Sequence, residues 1–231
     1  MLRALLLSGG KGTRLGEDIP KQYIKVNGRM IIEYSMETLL SCNEIDSLTI
    51  VADPEWRDEI LKVLEGMKCS EKFQGFADPG ETRQLSIYNG LLIMKDNVFG
   101  SDAVLIHDAA RPRLKANMIK EMIKAFTDSE GVMPVIPMKD TVYVVDDSGK
   151  LKSLLERKNV VAGQAPELFL FSEYLKANEK MIKAGRMESI NGSTEPAFLS
   201  GMDITTIPGD EDNFKITTKE DLERFRGLME N

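Results

Sequence analysis

Residues 4–16, ALLLSGGKGTRLG, join a short apolar run to a glycine-rich segment. Residues 4–7 have the length and composition of a buried β-strand, and residues 8–16 follow without a break. Glycines allow the backbone to approach an anion closely, and successive backbone N–H groups can form a concave site around it. This stretch therefore predicts a phosphate-binding loop at the end of the first strand.

Basic residues cluster around this loop. Residues 3–29 include six basic and two acidic residues, although the whole chain carries a formal charge of −7. Arg14 can form paired hydrogen bonds with phosphate oxygens, and Lys21, within residues 20–23 (PKQY), can add a point charge. The segment contains no P-loop run, and Gly16 falls one residue late for a dinucleotide-binding fingerprint. A simple βα turn with surface cations is the alternative.

Strand-like and helix-like segments alternate along the chain. Strands are expected at residues 4–7, 48–51, 72–76, 104–106, 132–136 and 204–207, and helices at 30–40, 54–64, 81–94, 117–126, 171–184 and 219–228. This alternation predicts βαβ units and a mostly parallel, three-layer α/β sheet of Rossmann-like type. The length of 231 residues suits a single domain spanning residues 1–231.

Composition excludes several classes of protein. The chain has 42% hydrophobic and 29% charged residues, which is typical of a globular protein, and its acidic balance argues against nucleic-acid binding. Two cysteines, Cys42 and Cys69, predict no disulfide framework, and no apolar run has the length of a membrane span or a signal peptide. We therefore expect a cytoplasmic protein that does not bind membranes.

Residues 141–164 interrupt the alternation. Two short strand-like runs, 141–145 and 151–155, flank residues 146–150 (DDSGK), which have the composition of a turn. An isolated hairpin with an apolar face is marginally stable in water, so it requires a partner surface. We expect an arm that joins two copies of the chain, and folding back onto its own domain is the alternative.

Two further segments place polar groups at expected ligand-binding positions. Gly80 precedes a predicted helix, whose first N–H groups attract a hydrogen-bond acceptor or an anion, and Ser86 lies within that helix. Residues 107–112, HDAARP, follow a strand expected at the centre of the sheet, and ligands bind at the carboxyl ends of such strands. Asp108 is well placed there to hold Mg²⁺, which prefers oxygen ligands, and Arg111 can face the metal or a phosphate.

Residues 8–16, 20–23 and 107–112 together resemble the signatures of the 2-C-methyl-D-erythritol 4-phosphate cytidylyltransferase family and its ribitol-5-phosphate cytidylyltransferase relatives. Residues 213–222, NFKITTKEDL, are similar to the family's C-terminal signature. The resemblance implies Mg²⁺-dependent transfer of a cytidylyl group from CTP to a small sugar or polyol phosphate, with release of pyrophosphate. It also implies a homodimer joined through the hairpin arm.

The resemblance also implies a role for each matching residue. The catalytic cations are Arg14, Lys21 and Lys215; the contacts to CTP are Ser8, Gly9, Gly10, Gly12, Gly80, Ser86 and Ala109; the acceptor contacts are Arg111, Thr141, Arg157 and Thr194; and the metal ligand is Asp108. Arg157 is expected to reach the acceptor phosphate bound to a second copy of the chain. Because the attacking phosphate is already an anion, such a reaction requires positioning and charge neutralisation, and no general base.

Two segments on the acceptor side depart from the family pattern. Residues 164–167 are QAPE where the family commonly has Gln-Thr-Pro-Gln, so a hydroxyl is lost and a charge is gained. Residues 193–197 are STEPA where the family has Thr-Asp-Asp/Glu-Ala, and Thr194 is the expected equivalent of the threonine. The expected acceptor is 2-C-methyl-D-erythritol 4-phosphate, and ribitol 5-phosphate or another polyol phosphate is the alternative. A catalytically silent nucleotide-binding protein is a more distant alternative.

Overall fold

The computed structural model describes residues 1–10, 19–96 and 98–230. The strands are Leu2–Leu7 (β1), Lys25–Val26 (β2), Arg29–Met30 (β3), Ser47–Val51 (β4), Phe73–Ala77 (β5), Ala103–Asp108 (β6), Gly131–Pro137 (β7), Tyr143–Val145 (β8), Leu151–Leu154 (β9), Val161–Gly163 (β10), Glu167–Leu170 (β11) and Ile204–Pro208 (β12). The α-helices are Ile31–Ser41 (α1), Pro54–Glu65 (α2), Arg83–Met94 (α3), Ala116–Ala125 (α4), Phe171–Lys183 (α5), Thr194–Leu199 (α6) and Lys219–Met229 (α7). Across these described ranges, no helix combines the length and the apolar character needed to cross a membrane.

The central sheet of the described chain has the strand order β10–β7–β11–β6–β1–β4–β5, and β12 also pairs with β7. The pairs β1–β4, β1–β6, β4–β5 and β7–β12 are parallel. β11 runs antiparallel to both β6 and β7. The predicted mostly parallel α/β sheet is confirmed, with an antiparallel insertion that the alternation of segments does not predict.

Side chains on the central strands face two helical layers. On β1, Ala4 and Leu6 pack into a core shared with α1, α2 and α4, whereas Leu5 packs into a second core shared with α3 and α5. Every residue of β4 and β6 is buried, as expected for parallel strands covered on both faces. This alternation of facing directions confirms the three-layer arrangement. The parallel pairing of β1, β4, β5 and β6 brings their carboxyl ends to one edge of the sheet.

The expected arm over residues 141–164 is divided between two sheets. β8 and β9 form a separate antiparallel hairpin, as predicted. β10, however, pairs with β7 in the central sheet, so the arm ends before residue 161. The reason is that residues 161–163 find backbone partners on β7, and the short run VAG has no pattern that distinguishes it from hairpin residues. β11, with the sequence ELFL, is also unpredicted, because it continues into α5 without an intervening turn.

Candidate active site

A cavity of about 850 Å³ lies where β1, β4, β5 and β6 end, and its size is within the range of small-molecule sites. Its lining residues are Leu7, Gly9, Gly10, Lys21, Gln22, Asp53, Pro79, Gly80, Glu81, Thr82, Arg83, Ser86, Asp108, Ala110, Lys215 and Thr217. Predicted site residues on this lining are Gly9, Gly10, Lys21, Gly80, Ser86, Asp108 and Lys215. Segments that are far apart in sequence therefore meet at one site, as expected at the carboxyl ends of parallel strands.

The start of the glycine-rich loop is held by the side chains of residues 22 and 23. Gln22 is buried, and its Nε2 donates hydrogen bonds to the carbonyl oxygens of Ser8 at 2.6 Å and Gly10 at 2.8 Å. The Ser8 hydroxyl donates to the Tyr23 hydroxyl at 2.9 Å. In a trans peptide the C=O and N–H groups point in opposite directions. Gln22 therefore turns the N–H of Gly9 away from itself and fixes the orientation of this peptide.

Two glycines allow close packing around the cavity. A Cβ atom on Gly9 would overlap the side chain of Pro79, and one on Gly80 would overlap Leu85. The backbone N–H of Gly80 donates to Ser86 Oγ at 2.9 Å, and this hydroxyl donates in turn to the carbonyl of Thr82 at 3.0 Å. Ser86 thus braces the turn at Gly80 by hydrogen bonds within the chain.

Asp108 is a buried carboxylate at the end of β6, and three cations surround it. Arg83 Nη2 lies 3.0 Å from Oδ1, Lys215 Nζ lies 3.0 Å from Oδ2, and Arg111 Nε lies 3.5 Å from Oδ2. Burial alone would raise the pKa of Asp108, but Arg83, Lys215 and Arg111 hold it well below its usual range. Asp108 is therefore ionised at neutral pH and organises the positive charge on this side of the cavity.

Arg83 is not among the residues predicted from the sequence, although it lines the cavity. Its Nε also donates to Asp108 Oδ1 at 3.1 Å, and its Nη2 lies 3.9 Å from Glu167 Oε2. Burial would lower the pKa of Arg83, but the two carboxylates raise it above its ordinary value. One signal in the sequence was available: Arg83 begins α3, where the helix dipole disfavours a cation unless carboxylates compensate it.

Arg111, expected to contact metal or acceptor, lies beside Asp108 but outside the cavity lining. Its Nη1 donates to the carbonyl of Asn213 at 2.8 Å, two residues before Lys215. The backbone N–H of Ile216 donates to the carbonyl of Ala110 at 2.8 Å. These contacts connect the turn after β6 to the segment carrying Lys215, so Arg111 holds the cationic group together in this structure.

Comparison with known proteins agrees with this architecture. The family model for 2-C-methyl-D-erythritol 4-phosphate cytidylyltransferase (IspD) matches residues 2–231. The chain belongs to this family. The predicted family, fold class and enzyme class, a cytidylyltransferase, are therefore confirmed.

Relatives of two kinds match this cytidylyltransferase over nearly its whole length. The 2-C-methyl-D-erythritol 4-phosphate cytidylyltransferase of Thermotoga neapolitana is 35% identical over 223 residues, which are 96% of this chain and 94% of the relative. The ribitol-5-phosphate cytidylyltransferase of Streptococcus agalactiae is 29% identical over 230 residues, or 98% of this chain and 94% of the relative. The crystal structure of 4-diphosphocytidyl-2C-methyl-D-erythritol synthase from Anaerococcus prevotii superposes with a TM-score of 0.85 at 25% identity and covers 100% of this chain and 96% of that one.

Asp108 supplies the kind of ligand that Mg²⁺ requires. Within the ranges that the structure describes, no three or more histidine, cysteine or acidic side chains come together as a metal cluster. Mg²⁺ is often held by one or two carboxylates together with substrate phosphates, so the ionised carboxylate of Asp108, on a cavity of small-molecule size, fits it. The cytidylyltransferase site is therefore suited to a metal bound jointly by Asp108 and a nucleotide.

Other predicted contacts lie away from the cavity lining. Ser8 and Ala109 are buried behind it, so their side chains do not face the cavity space. Thr141 and Arg157 are exposed on the segments that flank the hairpin, and Arg157 Nη1 donates to the carbonyl of Lys139 at 2.7 Å.

The remaining predicted residues are placed as follows. Thr194 begins α6, and its Oγ1 lies 3.3 Å from Met133 Sδ. Gly12 and Arg14 lie outside the described residues. Inside one chain, the structure thus brings together most of the described residues predicted to contact CTP or the metal, whereas Thr141, Arg157 and Thr194, predicted to contact the acceptor, lie away from the cavity lining.

Proposed function

We propose that this chain is a Mg²⁺-dependent cytidylyltransferase that transfers the cytidylyl group of CTP to 2-C-methyl-D-erythritol 4-phosphate and releases pyrophosphate. The observation that carries the proposal is the grouping of Lys21, Arg83 and Lys215 with the ionised carboxylate of Asp108, on a cavity that Gly9 and Gly10 also line. Membership of the family and the 35% identical relative support the choice of acceptor.

The chemistry needs charge neutralisation more than proton transfer. An oxygen of the acceptor phosphate attacks the α-phosphorus of CTP, and the bond from that phosphorus to the bridging oxygen breaks as pyrophosphate leaves in line. The attacking oxygen is already anionic. Lys21 and Lys215 balance the charge of the triphosphate, together with backbone N–H groups of Gly9 and Gly10. The resemblance to the family gives Arg14 and Gly12 the same role. Mg²⁺ held by Asp108 supplies further neutralisation of the phosphates when it is bound.

The cytosine ring is proposed to bind beside Gly80 and Ser86. The close packing of Gly80 and its hydrogen bond to Ser86 give this wall a fixed position, which is what selection of one base requires. Ser8 and Ala109 contribute only through their backbone, because both side chains are buried behind the lining. Arg111 acts by holding the Asp108–Lys215 group together.

The acceptor side is proposed to be completed by a second copy of the chain. Leu151 and Leu154 on the hairpin arm are 70% and 64% exposed, and Val145 beside them is also exposed. Apolar side chains on a hairpin of two strands mark a contact surface, and a homodimer covers them. Thr141 and Thr194 of one chain, with Arg157 from the partner, then contact the acceptor. The cysteines of this dimer are free, which suits the reducing cytoplasm as its location.

Ribitol 5-phosphate is the second candidate acceptor. The ribitol-5-phosphate cytidylyltransferase of S. agalactiae matches 98% of this chain, so a polyol acceptor is compatible with the same fold. The departures at residues 164–167 and 193–197 both fall on the acceptor side. The cavity and its cations serve either acceptor, because the nucleotide side is common to both reactions.

Pyrophosphate release tests the proposal directly. Purified protein is supplied with CTP and Mg²⁺ and with 2-C-methyl-D-erythritol 4-phosphate or ribitol 5-phosphate in parallel, with UTP and ATP as nucleotide controls. We expect turnover with CTP and the first acceptor. Turnover with ribitol 5-phosphate alone assigns the second candidate. No release with either acceptor contradicts the proposed function, and the absence of a rise in Tm with CTP and Mg²⁺ contradicts nucleotide binding as well.

A further inference from the structure

The two acceptor-side segments that depart from the family pattern are joined by a side-chain contact in the structure. Glu167 is the last residue of QAPE, and Ser193 is the first residue of STEPA, directly before Thr194. Glu167 Oε1 accepts a hydrogen bond from the Ser193 hydroxyl. The two residues are 26 positions apart, and both are buried, with 8% of Glu167 and 0% of Ser193 exposed. Two segments that look independent in the sequence are therefore joined by one contact between β11 and the residue before α6.

Ser193 is also anchored through its backbone. The Tyr174 hydroxyl, on α5, donates to the Ser193 carbonyl at 2.7 Å. On the other side of the segment, Glu195 Oε2 accepts a hydrogen bond from the N–H of Asn191 at 2.9 Å. Thr194 lies between these anchors. Its position therefore depends on the groups that hold Ser193 and Glu195.

The second oxygen of Glu167 connects this contact to the nucleotide cavity. Oε2 is buried, accepts no hydrogen bond from the part of the chain that the structure describes, and lies 3.9 Å from Arg83 Nη2. Arg83 lines the cavity and binds Asp108. Burial raises the pKa of Glu167, whereas Arg83 and the Ser193 hydroxyl oppose that rise. The carboxylate therefore has a cation on its cavity side and a hydroxyl on its acceptor side.

We propose that Glu167 and Ser193 act as one positioning pair that sets the place of Thr194 and so controls recognition of the acceptor phosphate. The inference rests on the proposed function and adds to it the residues that hold the acceptor side of the site. The pair acts through Thr194. A change in either member therefore alters the KM for the acceptor more than the KM for CTP.

Steady-state kinetics of three variants test the pair. Glu167→Met keeps the side-chain length but removes the oxygens, Ser193→Ala removes the donor, and Glu167→Gln keeps an oxygen that can accept from Ser193. We expect Glu167→Met and Ser193→Ala each to raise the acceptor KM by about tenfold, the size of effect expected when a buried hydrogen bond is lost. The KM for CTP should stay within about twofold. Glu167→Gln should stay near the wild-type acceptor KM.

The double variant shows whether the two residues act together. Because Glu167→Met and Ser193→Ala remove the same contact, the double variant should show about the same tenfold rise as either single change. An additive rise of about a hundredfold, or an equal rise in the KM for CTP, would overturn the proposal. Tyr34→Phe is the matched control, since it removes a buried hydrogen bond to the Val26 carbonyl away from this segment. It should leave the acceptor KM unchanged.

Hydrogen exchange of the amides of residues 191–195 gives a readout that needs no substrate. Exchange should be faster in Glu167→Met and Ser193→Ala than in wild type, and should remain at the wild-type rate in Glu167→Gln and Tyr34→Phe. Unchanged exchange in the first two variants would overturn the positioning pair. If the wild-type protein releases no pyrophosphate with either acceptor, the proposed function is contradicted. Hydrogen exchange would then still test whether Glu167 and Ser193 hold residues 191–195 in place. If Glu167→Met does not fold, Ser193→Ala carries the same test.

Discussion

The nucleotide side of the cavity and the hairpin arm hold their polar residues in different ways. On the nucleotide side, Gln22 and Asp108 are buried and hydrogen-bonded or paired with groups of the same chain. On the arm, Arg157 is exposed, and its neighbours Leu151 and Leu154 present apolar side chains to solvent. A preorganised charge site needs fixed donors. We therefore expect one chain to suffice for the first region, and the second region to require contact with another surface.

The largest expected effect comes from removing a cation on the nucleotide side. Lys215→Ala should lower turnover by about 10²–10³, because one charge-stabilising contact in such a site contributes a few kcal/mol to the transition state. Lys21→Ala should behave in the same way. Pyrophosphate release measures both, and circular dichroism confirms that the variants are folded. Lys219 is an exposed lysine on α7. Lys219→Ala is therefore the control, and it should retain full turnover. Near-normal turnover of Lys215→Ala would remove this residue from the mechanism.

A smaller effect should follow when the glycine loop loses its brace. Gln22→Met removes the donor to Ser8 and Gly10 while keeping a similar volume, and should weaken CTP binding by about tenfold. Fluorescence of Trp56, the sole tryptophan, reports binding because the Tyr23 ring stacks on it at 4.2 Å.

Gln74→Met is the matched control for the loop. Gln74 is exposed, and its Nε2 donates to the carbonyl of Lys72 outside the cavity lining, so its replacement should leave CTP affinity unchanged. A Gln22→Met protein that binds CTP as tightly as wild type would show that the loop does not depend on this brace.

On the arm, one charge should separate the two copies. Leu154→Asp places a carboxylate on the apolar surface of β9, and should shift the mass in sedimentation from dimer to monomer and lower turnover by about tenfold. Ile93 is an exposed apolar residue on α3. Ile93→Asp is therefore the control, and it should change neither the sedimenting mass nor the turnover. A wild-type protein that sediments as a monomer at micromolar concentration would contradict the proposed dimer.

The smallest expected effect is a pH-dependent change in stability at Glu167. Burial raises the native-state pKa of Glu167, so its contribution to stability is present below the unfolded-state pKa of about 4.3 and is lost as pH rises through the native value. Glu167→Gln should therefore have a higher Tm than wild type near pH 7 and no such advantage below about pH 4. Calorimetry across this range measures the difference. A Tm difference between Glu167→Gln and wild type that grows as pH falls would contradict a raised native-state pKa for Glu167.

The sequence predicts the fold better than the site. The strand from residue 4 and the helix at 54–64 are recovered within two residues because apolar periodicity and an Asp-Pro start identify them. β10 and β11 are not predicted, since short antiparallel strands joined to other elements leave no separate pattern. For these strands, pairing across the sheet decides the conformation.

The site itself is predicted in part. Asp108, Lys21 and Lys215 stand in motifs and are found on the cavity. Arg83 and Gln22 are missed, because each is placed in the site by contacts with residues distant in sequence. Arg83 pairs with the buried carboxylate of Asp108, and Gln22 donates to the carbonyls of Ser8 and Gly10 in the glycine-rich segment. No local pattern contains that information for Gln22, and for Arg83 the local signal is its position at the start of α3.

Mixing two inactive variants tests most directly whether the acceptor side is shared between copies. Lys215→Ala lacks a nucleotide-side residue and Arg157→Ala lacks an arm residue. If Arg157 acts on the partner's site, a heterodimer of the two has one intact site, and random exchange of subunits should restore about a quarter of wild-type pyrophosphate release. A mixture of Lys215→Ala and Lys21→Ala, both on the nucleotide side, should restore none. Failure of the first mixture to recover activity, once sedimentation has shown that heterodimers form, would contradict an acceptor site built from two chains.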